Sequence, residues 1–112
     1  MKRPWAYICA TEDVSSRLLN RYCRKVYELG YLPICPRLND GQYLVLDDPE
    51  ERSDYADIVR DKLSRCPMLV LCGKDSDASM AAEIGLAQKF NRICTTLEGL
   101  ATAVQNGERF VS

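Results

Sequence analysis

The stretch Met68–Gln88, MLVLCGKDSDASMAAEIGLAQ, decides the fold. Residues 68–72 form an apolar run of the length and composition of a buried strand, and from about Ser79 to Phe90 the spacing becomes helical. A strand that empties through a short polar loop into a helix places that loop at the carboxyl edge of an α/β sheet. Open parallel sheets bind their ligands at that edge. Asp75, Asp77 and Glu83 cluster there, with Glu83 just over one turn into the helix. A carboxylate near a helix N-terminus is held ionised by the helix dipole, as a nucleophile or a ligand clamp requires. A structural reading stands beside this one: Asp75 or Asp77 caps the helix, and Glu83 is a solvated first-turn acid.

Working outward, Trp5–Cys9 (WAYIC) is aromatic and β-branched enough for a buried strand. Ser15 or Ser16 caps the next helix, whose Leu18, Leu19, Tyr22, Val26 and Leu29 recur at spacings of three and four. Gly30 ends it. Tyr31–Cys35 is a second strand, and Pro33 inside it predicts an edge position. Residues 36–47 read as an irregular loop with the turn signal Asn39-Asp40-Gly41, of a length that is often functional. Asp48-Pro49-Glu50-Glu51 opens a helix to about Arg65, stopped by Pro67. Arg92–Thr95 is a fourth strand, and Thr95-Thr96-Leu97-Glu98 reads as a capping box for a last helix to about Asn106. Gly107 ends that helix, and the tail to Ser112 reads either as a short fifth strand or as a disordered segment.

The alternation β-α-β-α-β-α-β-α predicts a three-layer, flavodoxin- or Rossmann-like open parallel sheet in one domain, residues 1–112, with helices on both faces. The edge character of the second strand gives the order 2-1-3-4. The topological switch then falls between strands one and three, in a crevice lined by Ala10–Asp13 and by Gly73–Ser79.

Composition narrows the classes of function. Apolar residues at 46% and charged residues at 28% are those of an ordinary globular domain. A net charge of −1 leaves no electrostatic footprint for nucleic acid or an anionic membrane. No apolar run approaches membrane-spanning length. The N-terminus reads as a first strand and not a signal peptide, so a cytoplasmic location is expected. The six cysteines include no C-x-x-C pair and the chain has no histidine, so no metal site and no cofactor are expected. Cys9, Cys35, Cys72 and Cys94 fall in or beside strand-like runs and are expected to be buried, reduced thiols.

Without histidine, Ser–His–Asp and Cys–His catalysis are excluded. The dinucleotide fingerprint, the P-loop and the G-x-S-x-G elbow are all missing from the sequence. Carboxylate chemistry remains, and attack at a sugar anomeric carbon suits an ionised glutamate with a second carboxyl group as acid or sugar ligand. Tyr7, expected at the end of strand one, is placed to orient such a glutamate; a core aromatic with its hydroxyl at the rim is the alternative.

At these residues the chain resembles a known family. DSDASMAAEIGLA (75–87) is similar to the D-x-x-x-G-[MT]-x-x-E-[IL]-G-x-A segment of nucleoside 2-deoxyribosyltransferases and their small relatives. WAYIC, YELGYLPICPRL, LDDPEER and RCPMLVLCG resemble further family segments in the same order, covering about residues 5–95. The resemblance implies Glu83 as the nucleophile toward the anomeric carbon of a 2-deoxynucleoside. It implies Asp77 as the aspartate that holds the sugar and assists proton movement, and Tyr7 as the residue orienting the nucleophile. Substrate contacts are implied from Ala10, Thr11, Gly73, Asp75, Ser79 and Met80, with Asp57 on the second helix as a looser match to a further active-site aspartate. It also implies a homo-oligomer, with two subunits completing each site around a small-molecule (deoxy)nucleoside or nucleotide. Two departures stand out. Ala10-Thr11-Glu12-Asp13 replaces the family's Gly/Ser-Pro-aromatic turn, and Ser79 stands where glycine is common. The acidic turn is expected to disfavour a phosphate and to raise the pKa of Glu83.

Three functions are consistent with this reading: a deoxyribosyltransferase or N-glycoside hydrolase, a non-catalytic nucleoside- or nucleotide-binding domain, and a structural oligomeric module. Phosphoribohydrolase chemistry ranks below these, because its Gly-rich phosphate loop is missing.

Overall fold

The computed structural model describes residues 3–108. The candidate fifth strand falls largely on 109–112, outside the described residues. The described chain runs β1 (Trp5–Cys9), α1 (Ser16–Glu28), β2 (Leu32–Ile34), two 3-10 turns (Pro36–Leu38 and Asp40–Gln42), α2 (Pro49–Arg65), β3 (Met68–Leu71), α3 (Ala78–Lys89), β4 (Ile93–Thr96) and α4 (Leu97–Gln105). The four strands form one parallel sheet in the order β2-β1-β3-β4. Pro33 pairs with Ala6 on the outermost strand β2, where a missing N–H costs least.

Strand parity divides the core in two. Ala6, Ile8, Ala10, Met68, Val70 and Cys72 face one way and meet Leu19 and Val26 of α1 and Leu100 of α4. Tyr7, Cys9 and Leu69 face the other way and meet Val59 and Leu63 of α2 and Met80 and Ala87 of α3. Leu63 and Leu69 are both 0% exposed, and removing each side chain from water is worth about 1.5–3 kcal/mol.

The helix ends follow local chemistry. The Ser15 hydroxyl accepts from the Leu18 N–H to start α1, and Gly30, at φ +103°, follows its end. Asp48 accepts from the Glu51 N–H at 3.0 Å, with Pro49 in the first position of α2. Glu51 does not return a bond to its own cap; its carboxylate accepts from the Val45 N–H at 3.0 Å and ties down the end of the preceding loop. α3 closes at Asn91, a non-glycine residue at φ +58°.

Three expectations need correction. The cap of α4 is Thr96, which accepts from the Gly99 N–H at 2.9 Å, and not Thr95. Thr95 and Thr96 both pair with β3, opposite Val70 and Leu71, and Thr96, the last residue of β4, is the one that turns directly into the helix. A Cβ on Gly99 would lie 3.0 Å from the Thr95 hydroxyl and 3.1 Å from that of Thr96, so glycine lets the helix begin directly off the strand. Cys94 is exposed, because β4 is an edge strand whose alternate residues escape the helical layers. Residues 36–47 are more ordered than an irregular loop. Asp40 is buried there, accepting from Lys62 of α2 at 2.5 Å and from the Tyr43 hydroxyl at 3.0 Å.

Candidate active site

The parity of β1 sends Tyr7 toward α3, and the capping of α3 sets the phase that turns Glu83 back toward β1. The Tyr7 hydroxyl donates to Oε2 of Glu83 at 2.5 Å. Tyr7 sits in the middle of β1 and not at its end, and is 1% exposed. Burial, with Glu83 beside it, pushes the phenol far above its ordinary range, so it stays protonated and can only donate to the carboxylate. Cys9, two residues along the same strand face, is raised in the same way by burial and by Glu83 and remains a neutral thiol. Tyr55 of α2 completes this side, its phenol pushed up to about 12 by burial and by Glu83.

Glu83 itself is raised above the ordinary carboxylate value, and burial is the main cause. Tyr7, Cys9 and the Arg37 charge pull the other way, while Asp77 adds to the rise. Glu12 and Asp13 are not among these causes, so the shift does not come from the acidic turn to which it was expected to belong.

Asp77 bridges the switch point. Its Oδ1 accepts from the Met80 N–H at 3.0 Å and from the Ser79 hydroxyl at 2.7 Å, capping α3. Its Oδ2 accepts from the Glu12 N–H at 2.7 Å, across the crevice. Those donors, the Glu12 amide foremost, hold the carboxyl below its usual range. An ionised group with three donors is equipped to accept and not to give a proton.

Arg37, on the 3-10 turn after β2, escaped the sequence reading. Its Nη1 donates to the carbonyls of Thr11 at 2.8 Å and Glu12 at 3.2 Å, and its Nη2 to that of Ala10 at 2.9 Å. The turn between β1 and α1 is thus clamped by Arg37 from one side and Asp77 from the other. A signal existed: a guanidinium just past the carboxyl end of the strand next to β1, in a loop whose length already suggested function.

The crevice is present where the topology placed it. Thr11–Asp13 and Lys74–Asp77 line an open cleft of about 750 Å3. A smaller cleft of about 280 Å3 adjoins it on the α1 side, where Tyr22, Cys72 and Gly73 join Thr11 and Asp75. Gly73 has φ +89°, and a Cβ there would come within 3.1 Å of the Tyr22 hydroxyl. Neither cleft is lined by Glu83 or Tyr7. The other expected substrate contacts divide. Thr11 and Asp75 reach both clefts. Ser79 is engaged with Asp77. The Ala10 and Met80 side chains are core, 1% and 3% exposed, and offer a site only their backbone groups. Asp57 is exposed on α2 and makes no side-chain hydrogen bond or ion pair among the described residues; Tyr55 is the α2 residue that senses Glu83.

No group of three or more Cys, Asp or Glu side chains among the described residues is arranged to hold a metal ion. No helix among them is long and apolar enough to cross a membrane.

Residues 5–96 match a domain of unknown function, DUF7768. The chain belongs to the DUF7768 family. The match spans all four strands and the first three helices, so the Tyr7–Glu83 pair, Arg37 and Asp77 all lie inside the DUF7768 domain. No curated protein matches the sequence.

Proposed function

We propose that this DUF7768 domain acts on the N-glycosidic bond of a (deoxy)nucleoside, with Glu83 as nucleophile. The observation that carries the reading is the Tyr7–Glu83 hydrogen bond beside the switch point, which orients a carboxylate at the position the family resemblance gives to the nucleophile. In the first step Glu83 attacks the anomeric carbon, forming a glycosyl ester as the C–N bond breaks and the electron pair leaves with the base. A second base, or water, then attacks the same carbon and releases Glu83, with net retention. Tyr7 keeps one carboxylate oxygen engaged and leaves the other for attack. Asp77 suits the role of sugar ligand better than that of acid, since it is held ionised. The leaving base therefore takes its proton from another donor.

The test is turnover of a purine and pyrimidine deoxynucleoside panel, with and without a second free base, resolved by chromatography. Glu83→Ala serves as the blank. Base exchange by the wild type alone supports a transferase, and base release without exchange supports a hydrolase. Equal rates in wild type and Glu83→Ala sink both.

A second reading is a non-catalytic binding domain. It is favoured by the separation of Glu83 from the open cleft at Thr11–Asp13 and Lys74–Asp77. A rise in Tm with nucleoside that persists in Glu83→Gln, with no turnover by the wild type, supports it.

A further inference from the structure

The larger cleft at the switch point is biased in charge. Glu12, Asp13, Asp75 and Asp77 line it, against a single basic side chain, Lys74. The Arg37 guanidinium is engaged with the carbonyls of Ala10, Thr11 and Glu12 and is not part of the lining. A cleft lined in this way draws in positive charge and repels phosphate.

The groups around Glu83 show a second bias, in protons. Asp77 lines the cleft and also acts on Glu83, which ties the two together. Its oxygens already accept from the Glu12 and Met80 amides and from the Ser79 hydroxyl. The Tyr7 proton is committed to Glu83. Cys9 is kept a neutral thiol beside the same carboxylate, and the Tyr55 phenol is pushed up to about 12. The chain has no histidine. None of these groups is fitted to hand a proton to a departing base near neutral pH.

We propose that the N-glycoside taken by this site is an unphosphorylated nucleoside whose base carries a positive charge, such as a pyridinium or an N-alkylated purine. The proposal rests on the reading of Glu83 as nucleophile. A neutral base needs a proton as its bond to the sugar breaks, and a cationic base does not. Glu83 attacks the anomeric carbon, the C–N bond breaks, and its electron pair cancels the charge on the base. The base leaves neutral, and Glu83 holds the sugar as an ester. Water then attacks the same carbon, the ester C–O bond breaks, and Glu83 recovers its carboxylate while the water proton passes to solvent. Nothing is oxidised or reduced. The acidic lining and the missing acid thus select the same substrate.

Nicotinamide riboside and its 1,4-dihydro form are close in shape and differ in ring charge. In Glu83→Gln, only the pyridinium form is expected to raise Tm, and less so at high salt. In the wild type, kcat/KM for nicotinamide release should exceed that for neutral nucleosides of either sugar. Asp13→Asn combined with Asp75→Asn should lower it about tenfold and leave turnover of neutral nucleosides unchanged. Asparagine at position 13 keeps the acceptor for the Thr11 hydroxyl. The pH profile of kcat/KM for the pyridinium substrate should have one limb, rising as Glu83 ionises and then staying level.

Equal Tm shifts for the two forms, or a bell-shaped pH profile, would overturn the proposal. Glu83-dependent turnover that is as fast on neutral nucleosides overturns it too, while leaving Glu83 as nucleophile. No Glu83-dependent turnover of any substrate ends both.

Discussion

Tyr7 and Glu83 lie 76 positions apart in the chain and meet at 2.5 Å across the layer between β1 and α3. The phenol is buried in the core and the carboxylate is its only side-chain acceptor among the described residues. This bond therefore fixes the phase of α3 against the sheet as well as the direction of the carboxylate.

Tyr7→Phe removes the donor and leaves the Glu83 oxygen buried. A hydrogen bond to a charged group in such a place is worth about 1.5–3 kcal/mol, so urea denaturation at neutral pH should register a loss of that order. Because Tyr7 lowers the pKa of Glu83, the carboxyl titration followed by NMR should move upward. A Glu83 titration that stays in place would show that the Tyr7 hydroxyl does not act on the carboxylate.

The pH dependence of stability has a definite sign. The folded Glu83 pKa lies above the ordinary 4.5, so its contribution is fully present below that value and is lost as pH rises through the folded pKa. Once the pH has risen through the folded pKa, the ionised carboxylate is thus a destabilising element. Glu83→Gln should remove this dependence, and its stability relative to wild type should improve steadily from acid to neutral pH. A constant difference between the two proteins across that window would contradict the raised pKa.

Arg37→Lys keeps the charge but loses the planar fork that reaches the Ala10, Thr11 and Glu12 carbonyls together. Amide exchange of residues 11–13 should accelerate, with a stability loss of about 1–2 kcal/mol. Wild-type exchange in the variant would show that Asp77 alone holds the turn.

The Asp40–Lys62 pair should behave as one unit. Lys62→Met leaves the buried Asp40 carboxylate with only the Tyr43 hydroxyl. Breaking one side of a buried pair costs about 3–5 kcal/mol; the lower end is expected here, since the Lys62 side chain keeps 26% of its exposure. Adding Asp40→Asn should recover part of the loss. A double variant no better than Lys62→Met would show that the charge of Asp40 is not the issue.

The sheet order was legible because one residue type settled it: Pro33 could not sit in a central strand, and the apolar MLVLC run could sit nowhere else. The helix start at Asp48 was legible outright and those at Ser15 and Asp77 to within a pair of candidates (Ser15 or Ser16, Asp75 or Asp77), since each cap lies within three residues of the amide it serves. The start of α4 was not, because Thr95 and Thr96 offer the same hydroxyl, and the choice depends on where β4 ends, which no local pattern records. Tyr7 and Glu83 were singled out by their places on strand and helix, and the resemblance added the roles expected of them. Arg37 and Asp40 were not found, because their partners lie 22 to 27 residues away in sequence and no local period records them. The burial of the cysteines followed strand character in the middle of the sheet and failed at Cys94, where position in the sheet outweighs composition.

The alternating sides of β1 carry a consequence for how this domain can change over time. Tyr7 and Cys9 serve the Glu83 side, while Ala6, Ile8 and Ala10 serve the side that meets α1 and α4. A point substitution at any of these five positions alters one side and spares the other. A one-residue insertion or deletion within the strand exchanges the two sets wholesale, placing an alanine or isoleucine opposite Glu83 and a tyrosine against α1. Descendants of this chain can therefore reshape either face by substitution alone, but the length of five residues from Trp5 to Cys9 is a heritable constraint on both at once.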